Sequence, residues 1–318
     1  MPQAIKRIAH EQIESSIDIL SEETPERRDE VVHQARKHFK KLRALVRLIR
    51  GEIGNKTYRR ENGCFQDASH QLETLRDSQV RLETLDALLS HYSDSIGAEA
   101  DGFAFEGVRD VLLDDYTSVH HQSSSDITVK VLPALKKANR RVNDWQIDDS
   151  WNALGNGLYS IYARGRRALE AVAENPSPKN LHDWRKRVKD LWYHLRLLAP
   201  LWPDLFRAWR SEANGLAELL GDDHDLVMLR DYLMEDPTRF EDEEDQLGVL
   251  LSLIRRRQLE LQTEAISLGQ RLYAESPKAF AKRVKRYWIA WRAEHEQAAA
   301  AEPPVPELPV TPGRDAST

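Results

Sequence analysis

The chain has 318 residues, of which 41% are hydrophobic, and this is enough to bury a folded core. Its formal net charge of −6 argues against a protein that coats nucleic acid with its whole surface, because bulk attraction to phosphates requires a basic domain. The single cysteine, Cys64, excludes an internal disulfide framework and a cysteine-based zinc site. The sequence contains no apolar block typical of a signal peptide or a membrane span, so we expect a cytoplasmic protein without membrane association.

Apolar residues recur at three- and four-residue spacing along most of the chain, which predicts an all-α fold. Two helix starts are marked by a hydroxyl residue before a proline, at Thr24-Pro25 and Ser177-Pro178, while Pro200, Pro203 and Pro237 interrupt helices. The predicted helices span 4–20, 25–51, 59–93, 103–122, 127–145, 149–174, 178–199, 204–235, 244–274 and 277–297. The remaining residues, 298–318, are rich in proline and lack periodicity, so we expect a disordered tail.

Two of these helices carry the same motif of histidine, arginine and lysine. HQARKHFK begins at His33, and HDWRKRVK begins 149 residues later at His182. A weaker similarity follows each motif, between LETLRDSQVRLETL at 72–85 and LAELLGDDHDLVML at 216–229. We therefore predict one helical domain over residues 1–297 that arose by duplication, with halves of about 1–147 and 148–297. Each half would contain about four helices, so the expected fold is two similar four-helix bundles related by a pseudo-twofold axis.

Both motif helices are cationic on one face and apolar on the other when residues are placed at about 100° intervals. No acidic residue lies between Val31 and Arg50, so these cations lack neutralising partners within their own helix. A single basic helix is more often an ordinary solvated face, but two equivalent ones that meet form a basic central groove that attracts an anion. The candidate binding residues are His33, Arg36, Lys37, Lys40, Arg43, Arg47, His182, Arg185, Lys186, Lys189 and Arg196.

The mixture of side chains in the groove favours an extended phosphate chain over a single metal ion or a small carboxylate. Arginine makes bidentate contacts with phosphate, and lysine supplies point charges. A histidine among them has its pKa lowered by neighbouring cations and raised by bound phosphate, which suits binding rather than chemistry. Neither a cofactor nor a metal is expected. Additional phosphate contacts are predicted at Arg140, Arg164, Arg167, Lys282, Lys285 and Arg286.

An enzyme remains an alternative, because His182-Asp183 and His224-Asp225 resemble the ligand pairs of metal-dependent phosphohydrolases of the HD type. The cations that follow His182 disfavour a divalent metal, and Asp183 points about 100° away from that histidine. We interpret the acids of GDDHD at 221–225 as capping residues at the start of a helix. Gly-Asn-Gly at 155–157 does not form a phosphate-binding loop.

Nucleic acid is the other polyanion to consider. Single-strand binders usually combine a basic groove with exposed aromatic side chains on which bases stack. The two cationic faces carry little aromatic surface, so nucleic acid is the less favoured partner. The sequence does not indicate an oligomeric state.

Four segments together resemble the CHAD family, the conserved histidine α-helical domain. They are VHQARKHFKKLRALVRLIR at 32–50, LRDSQVRLETL at 75–85, LHDWRKRVKDLWYHLRLL at 181–198 and LLGDDHDLVMLRDYL at 219–233. The resemblance extends over residues 5–295 and implies two four-helix bundles around a basic cavity that binds inorganic polyphosphate, often on polyphosphate granules. The basic positions of the family fall on His33, Arg36, Lys37, Lys40, Arg43, His182, Arg185, Lys186 and Lys189.

The chain departs from the family pattern at two places. Trp192 precedes Tyr193 where members often have an arginine, and Asp-His-Asp at 223–225 replaces the Arg-Asp of the first half. Because a polyphosphate binder and an adaptor that targets granules look alike in sequence, the resemblance leaves a granule scaffold as a further alternative.

Overall fold

The computed structural model describes residues 1–24, 27–93, 105–122 and 126–301. All regular secondary structure in these ranges is helical, which confirms the predicted all-α class. The α-helices of the described ranges are α1 (Pro2–Ser21), α2 (Arg28–Leu48), α3 (Arg50–His70), α4 (Glu73–His91), α5 (Glu106–Gln122), α6 (Asp126–Val142), α7 (Asn152–Glu174), α8 (Pro178–Leu197), α9 (Pro203–Glu235), α10 (Glu244–Leu272) and α11 (Pro277–Ala301). Within these ranges, no helix combines the length and the apolar character needed to cross a bilayer.

The helix that carries the second motif, α8, begins where the sequence predicted. The Ser177 hydroxyl accepts a hydrogen bond from the backbone N–H of Asn180 at 3.3 Å, and Pro178 is the first helical residue. Proline also opens α9 at Pro203 and the short 3-10 helix Pro237–Glu243. Pro25, the other predicted start, lies outside the described residues, and α2 begins at Arg28.

One predicted helix, 59–93, is wrong because the structure divides it. The break falls at Gln71 and Leu72, and α3 reaches back to Arg50 through the segment that the prediction left out. Leu72 is 2% exposed, so the apolar periodicity continues across the break and hides it from a sequence pattern. At Gly54, α3 bends where a backbone φ of +74° favours glycine.

The predicted tail begins slightly too early. Helix α11 continues through residue 301, which includes the first four residues assigned to the tail. Residues 302–318 lie outside the described residues, so the predicted disorder there stays a prediction.

Buried apolar residues form two hydrophobic cores. The larger core joins helices of both halves of the chain, from Ile5 in α1 to Val284 in α11. The smaller core is built by two helical hairpins, α4–α5 from the first half and the end of α9 with α10 from the second. The long helix α9 connects them, because Leu220 belongs to the larger core and Leu226 to the smaller.

Helix packing shows both agreement and disagreement with a simple duplication. Helices α1, α2, α3 and α6 pack in a closed ring, each against its two neighbours. However, the hairpin α4–α5 packs on α9 of the second half rather than closing a bundle within its own half. The predicted division into two four-helix bundles, one per half, is therefore not confirmed, and the pseudo-twofold duplication stays a prediction.

Candidate anion-binding site

The two motif helices, α2 and α8, cross in direct contact. Nε2 of His194, a fully buried side chain, donates a hydrogen bond to the backbone carbonyl of Ala44 at 2.9 Å. Near the same point, Nη1 of Arg47 donates to Oδ1 of Asp190 at 2.5 Å. Each helix packs its apolar face into the larger core, where Phe39 and Trp184 are fully buried. The polar side chains of both helices therefore lie beside the crossing.

Positive side chains from both helices come together beside this crossing. We call Lys40 of α2, with Arg185 and Lys189 of α8, the central cluster. Burial, followed by the charges of Arg185, Arg36 and Lys189, lowers the pKa of Lys40 to about 7. The Lys40 side chain is nevertheless exposed to water. The low pKa of Lys40 therefore reflects the protein packed around it and the neighbouring cations, while solvent still reaches its side chain.

Arg185 reaches from α8 across to α9 and carries an unused hydrogen-bond donor. A Cβ added at Gly221 would lie 3.8 Å from both Nε and Nη2 of Arg185, so the guanidinium rests against the α9 backbone. Its Nε is buried and has no hydrogen-bond partner among the described residues. Because an arginine Nε can only donate, an oxygen acceptor is needed to complete this site.

Two histidines lie at the edge of the central cluster. The rings of His182 on α8 and His224 on α9 are 4.5 Å apart, centre to centre. Burial, then Arg185 and the other nearby cations, lower the pKa of His224 to about 3. Burial, Lys186 and Arg185 likewise lower the pKa of His182, whose buried Nδ1 has no hydrogen-bond partner in the described part of the chain. Both rings are therefore neutral at pH 7.

The capping interpretation of GDDHD is wrong. Residues 221–225 lie in the interior of the 33-residue helix α9, where backbone amides are already paired within the helix. Asp223 instead accepts a hydrogen bond from Nε2 of Gln262 at 2.7 Å, and Asp225, Glu218 and Asp222 raise the pKa of Lys189 against the lowering effect of burial. Sequence reasoning considered His224 and Asp225 only as a metal-ligand pair and did not place them beside the cations of α8. The pattern of one helix could not show that contact, because α9 passes from one core to the other at this point.

Several predicted binding residues are already engaged within the protein. Asp190 is only 3% exposed and pairs with both Arg47 and Arg187, with its Oδ2 3.2 Å from Nη1 of Arg187. Arg43 donates to the side chains of Asn62 and Gln66. The sequence predicted that the α2 cations lack acidic partners within their own helix, and groups from other helices instead partner Arg43 and Arg47. The backbone carbonyl of Ser69 accepts from Arg36, and Asp183 pairs with Lys186.

Two other predicted residues, Lys37 and Arg196, lie away from the central cluster. Both act on His38, whose pKa burial and the charges of Lys41, Arg196 and Lys37 lower to about 4. Burial, Arg196 and Lys37 also lower the pKa of Lys41. The structure therefore divides the predicted cations into two groups, and Lys41 and His38 were absent from the prediction.

Comparison with known protein families gives one match. The sequence model of the family described as "CHAD domain" matches residues 11–234, which is more than half of the chain. The chain belongs to the CHAD domain family. The match ends within α9, so α10 and α11 lie beyond it. No curated protein shows significant similarity to the chain.

The additional cations predicted from the sequence lie at different distances from the central cluster. Arg164 and Arg167 line a shallow cavity together with Asn180 and Asp183, beside the start of α8 and thus near His182. The other four are exposed on α6 and α11, which pack on different helices from the central cluster: Arg140, Lys282, Lys285 and Arg286. The remaining motif histidine, His33, is partly buried on α2.

The described part of the CHAD domain offers no cluster of three or more histidine, cysteine or acidic side chains that could hold a metal ion. The pair His182 and His224 is surrounded instead by positive charge. Cationic neighbours oppose a divalent ion electrostatically.

A more enclosed cavity lies elsewhere among the described residues. A space of about 360 Å³ is lined mainly by apolar and aromatic side chains of the second half, such as Tyr162, Leu195 and Trp209. Arg283 at its edge is paired with Glu275 and stacks on Trp209. This cavity offers a phosphate chain little uncompensated positive charge, so we place the anion site at the central cluster.

Proposed function

We propose that the protein binds inorganic polyphosphate at the central cluster and holds the polymer without cleaving it. The observation that carries this proposal is the meeting of Lys40, Arg185 and Lys189, from the two motif helices, at a place where solvent reaches the Lys40 side chain. The unsatisfied Nε of Arg185 adds a donor that requires an oxygen acceptor. Membership of the CHAD domain family supports the same ligand, through the resemblance of the two motif helices.

A chain of phosphates fits the site better than one phosphate. Cations continue from the central cluster towards the start of α8, where Lys186 is exposed and where Arg164 and Arg167 line the neighbouring cavity. Phosphates linked in a chain satisfy successive cations at a smaller entropic cost than separate ions do. Because the cations extend from the central cluster to the start of α8, this basic surface favours a linear polyanion.

Nucleic acid fits less well, because aromatic platforms are lacking at the central cluster. Trp184 and Tyr193 on α8 are 0% and 6% exposed, and Trp192 on the same helix is partly buried against the larger core. Bases that cannot stack add little to the phosphate contacts. We therefore expect weaker binding of single-stranded DNA than of polyphosphate with the same charge.

A phosphohydrolase is the second candidate, favoured by the contact between His182 and His224. Its two His-Asp dipeptides come together through the histidines, whereas Asp183 pairs with Lys186 on the surface. Catalysis by a divalent metal would require several more ligands at this point. The neighbouring Arg185 and Lys186 make such a centre the less favoured interpretation.

We further propose that the protein acts in the cytoplasm and associates with polyphosphate granules. Granules present many polymer chains at once, so even modest affinity for each chain concentrates the protein there. The same property would let it serve as a scaffold for other granule components.

The test is calorimetric titration of the purified chain with long-chain polyphosphate and with single-stranded DNA of equal charge, at moderate salt. The recovered polymer is then sized on a gel. Tight binding of intact polyphosphate, with weak DNA binding, is the expected result. Shortened polymer would favour the phosphohydrolase, and equal binding of DNA would contradict selectivity for polyphosphate.

Salt provides an independent check of this proposal. A site formed by cations releases counterions from the polymer, so the logarithm of affinity should fall linearly with the logarithm of salt concentration. The slope is about −0.7 for each phosphate neutralised on a single strand. An affinity that did not change with salt would contradict an electrostatic groove.

A further inference from the structure

At the crossing of α2 and α8, one pair of positions that the two motifs share carries opposite charges, a lysine on α2 and an aspartate on α8. The motif shift of 149 residues pairs Lys41 with Asp190, and it pairs Arg47 with Arg196 and His38 with Arg187. The observed contacts Ala44–His194 and Arg47–Asp190 show that α2 and α8 run antiparallel at the crossing. The same register places Lys41 of α2 opposite Arg196 of α8, on the other side of Ala44 and His194.

On the first side, a carboxylate bridges two arginines. Asp190 accepts from Arg47 at 2.5 Å and lies 3.2 Å from Arg187, and it is almost completely buried. An anion thus occupies the point between the two helices where positive side chains converge. Its negative charge makes their approach favourable.

On the second side, the same arrangement lacks its anion. Lys41 stands in place of the aspartate and lies within electrostatic range of Arg196 and Lys37. Within the described ranges, no ion pair joins Lys37, Lys41 or Arg196 to a carboxylate. Nδ1 of His38, between them, is 2.9 Å from Oε1 of Gln12, and this contact holds the imidazole against α1.

This arrangement costs energy in the absence of a ligand. Like charges that are held together by helix packing repel one another, and an anion between them reverses the sign of that interaction. Lys41 is partly buried, so water screens the repulsion only in part. Arginine and lysine together suit the oxygens of a phosphate group.

We propose that Lys37, Lys41 and Arg196 form a second binding site, for one phosphate-group oxyanion, at the position equivalent to the carboxylate of Asp190. The site is separate from the central cluster. Free inorganic phosphate and one phosphate group of a longer chain present the same oxygens to this site. Binding of a group from a longer chain rests on the proposed function.

The test is Lys41→Asp, which places in this contact the same residue type as its equivalent, Asp190. Thermal unfolding of the full chain is followed with increasing inorganic phosphate, and separately with long-chain polyphosphate. We expect a higher Tm without ligand, because the introduced carboxylate would pair with Arg196, and a smaller rise in Tm with phosphate than the unaltered protein shows. Lys56→Asp, at an exposed position of α3, makes the same change of charge and should keep the full phosphate response.

A second variant, Lys40→Ala with Lys189→Ala, removes two cations of the central cluster and so distinguishes its phosphate response from that of the second site. If both the unaltered protein and this variant respond to inorganic phosphate while Lys41→Asp does not, the second site is established independently of polymer binding. An equal phosphate response in Lys41→Asp and the unaltered protein overturns the second site. Failure of the proposed function gives a different result, in which long-chain polyphosphate does not bind to the unaltered protein. Lys41→Gln provides a neutral variant that removes the cation without adding an ion pair.

Discussion

The imidazole rings of His182 and His224 lie 4.5 Å apart between α8 and α9, surrounded by positive side chains. Arg185 and Lys186 act on both rings, and Lys40 of α2 acts on His224. Protonation of either ring would add another positive charge to this region. An anion bound at the central cluster would reverse this effect and favour the protonated rings.

The first prediction concerns pH. Because burial and nearby cations lower the pKa of His224 from 6.5 to about 3, the unfolded chain binds a proton that the folded chain rejects between these values. Stability without ligand should therefore be highest above pH 6.5 and should fall as the pH decreases from 6.5 towards 4. His182 contributes with the same sign. Calorimetric unfolding at a series of pH values measures this effect.

Binding should show the opposite dependence on pH. Bound phosphate raises the pKa of the two histidines and of Lys40, so binding takes up protons and should strengthen as the pH falls from about 8 to about 5. Lys40 contributes to the change near its pKa of about 7. In His224→Gln, the part of the pH dependence below pH 6.5 should decrease. A pH profile identical to that of the unaltered protein would mean that ligand binding does not change the pKa of His224.

The second prediction separates binding from stability at the central cluster. Lys40→Ala with Lys189→Ala should weaken polyphosphate binding at least about a hundredfold, if each charged contact contributes about 1.4 kcal/mol. The same variant should unfold at an equal or higher temperature, because burial and mutual repulsion already disfavour both charges. Titration calorimetry and thermal unfolding measure the two effects.

Its matched control is Lys56→Ala with Lys278→Ala, two exposed lysines on α3 and α11. This control removes the same net charge from other parts of the surface. A comparable loss of affinity in the control would indicate that general charge, rather than the central cluster, attracts the polymer.

The third prediction is that the pair of Arg47 and Asp190 stabilises the fold. Asp190→Asn leaves Arg47 and Arg187 without their shared carboxylate at a nearly buried position, and it should lower the free energy of unfolding by about 3 kcal/mol. Arg47→Ala should cost less, because Arg187 still neutralises Asp190. Denaturation in urea measures both. Glu11→Gln, in the exposed pair with Arg7, should cost less than about 0.5 kcal/mol.

These contacts show which parts of the fold and site a sequence can predict. Spacing within one helix predicted that α2 and α8 each present a cationic face, and equivalence of the motifs predicted that Lys40 and Lys189 could meet. The partner of Arg47 lies on the other motif helix, so no local pattern could identify Asp190 as its neighbour. The motif alignment itself paired Lys41 with Asp190, but the meaning of that difference depends on the observed crossing.

Helix ends set a second limit on prediction. GDDHD contains acids that are typical of a helix start, yet residues 221–225 lie where α9 passes from one core to the other without a break. At Leu72, a buried apolar residue has the opposite effect and hides a real break. Tertiary packing decides both cases, because local propensity contributes less than the burial of a long apolar face.

The last prediction concerns the glycines at 155–157, which lie within α7 rather than in a loop. A Cβ added at Gly157 would lie only 1.9 Å from the backbone carbonyl oxygen of Leu48, at the end of α2. Gly157→Ala must therefore push α2 away from α7, and we expect a loss of at least about 2 kcal/mol in the free energy of unfolding. Since this contact positions the end of α2, polyphosphate affinity should also fall.

Gly63→Ala in α3 is the matched control, because nothing lies within 4 Å of the added Cβ. There the substitution should stabilise the protein by about 0.5–1 kcal/mol, as expected for alanine in a helix interior. Urea denaturation of both variants gives the comparison. Equal stabilities would mean that α2 and α7 do not pack as closely as the Leu48 carbonyl and Gly157 indicate, and the position of the cationic face of α2 would then have to change.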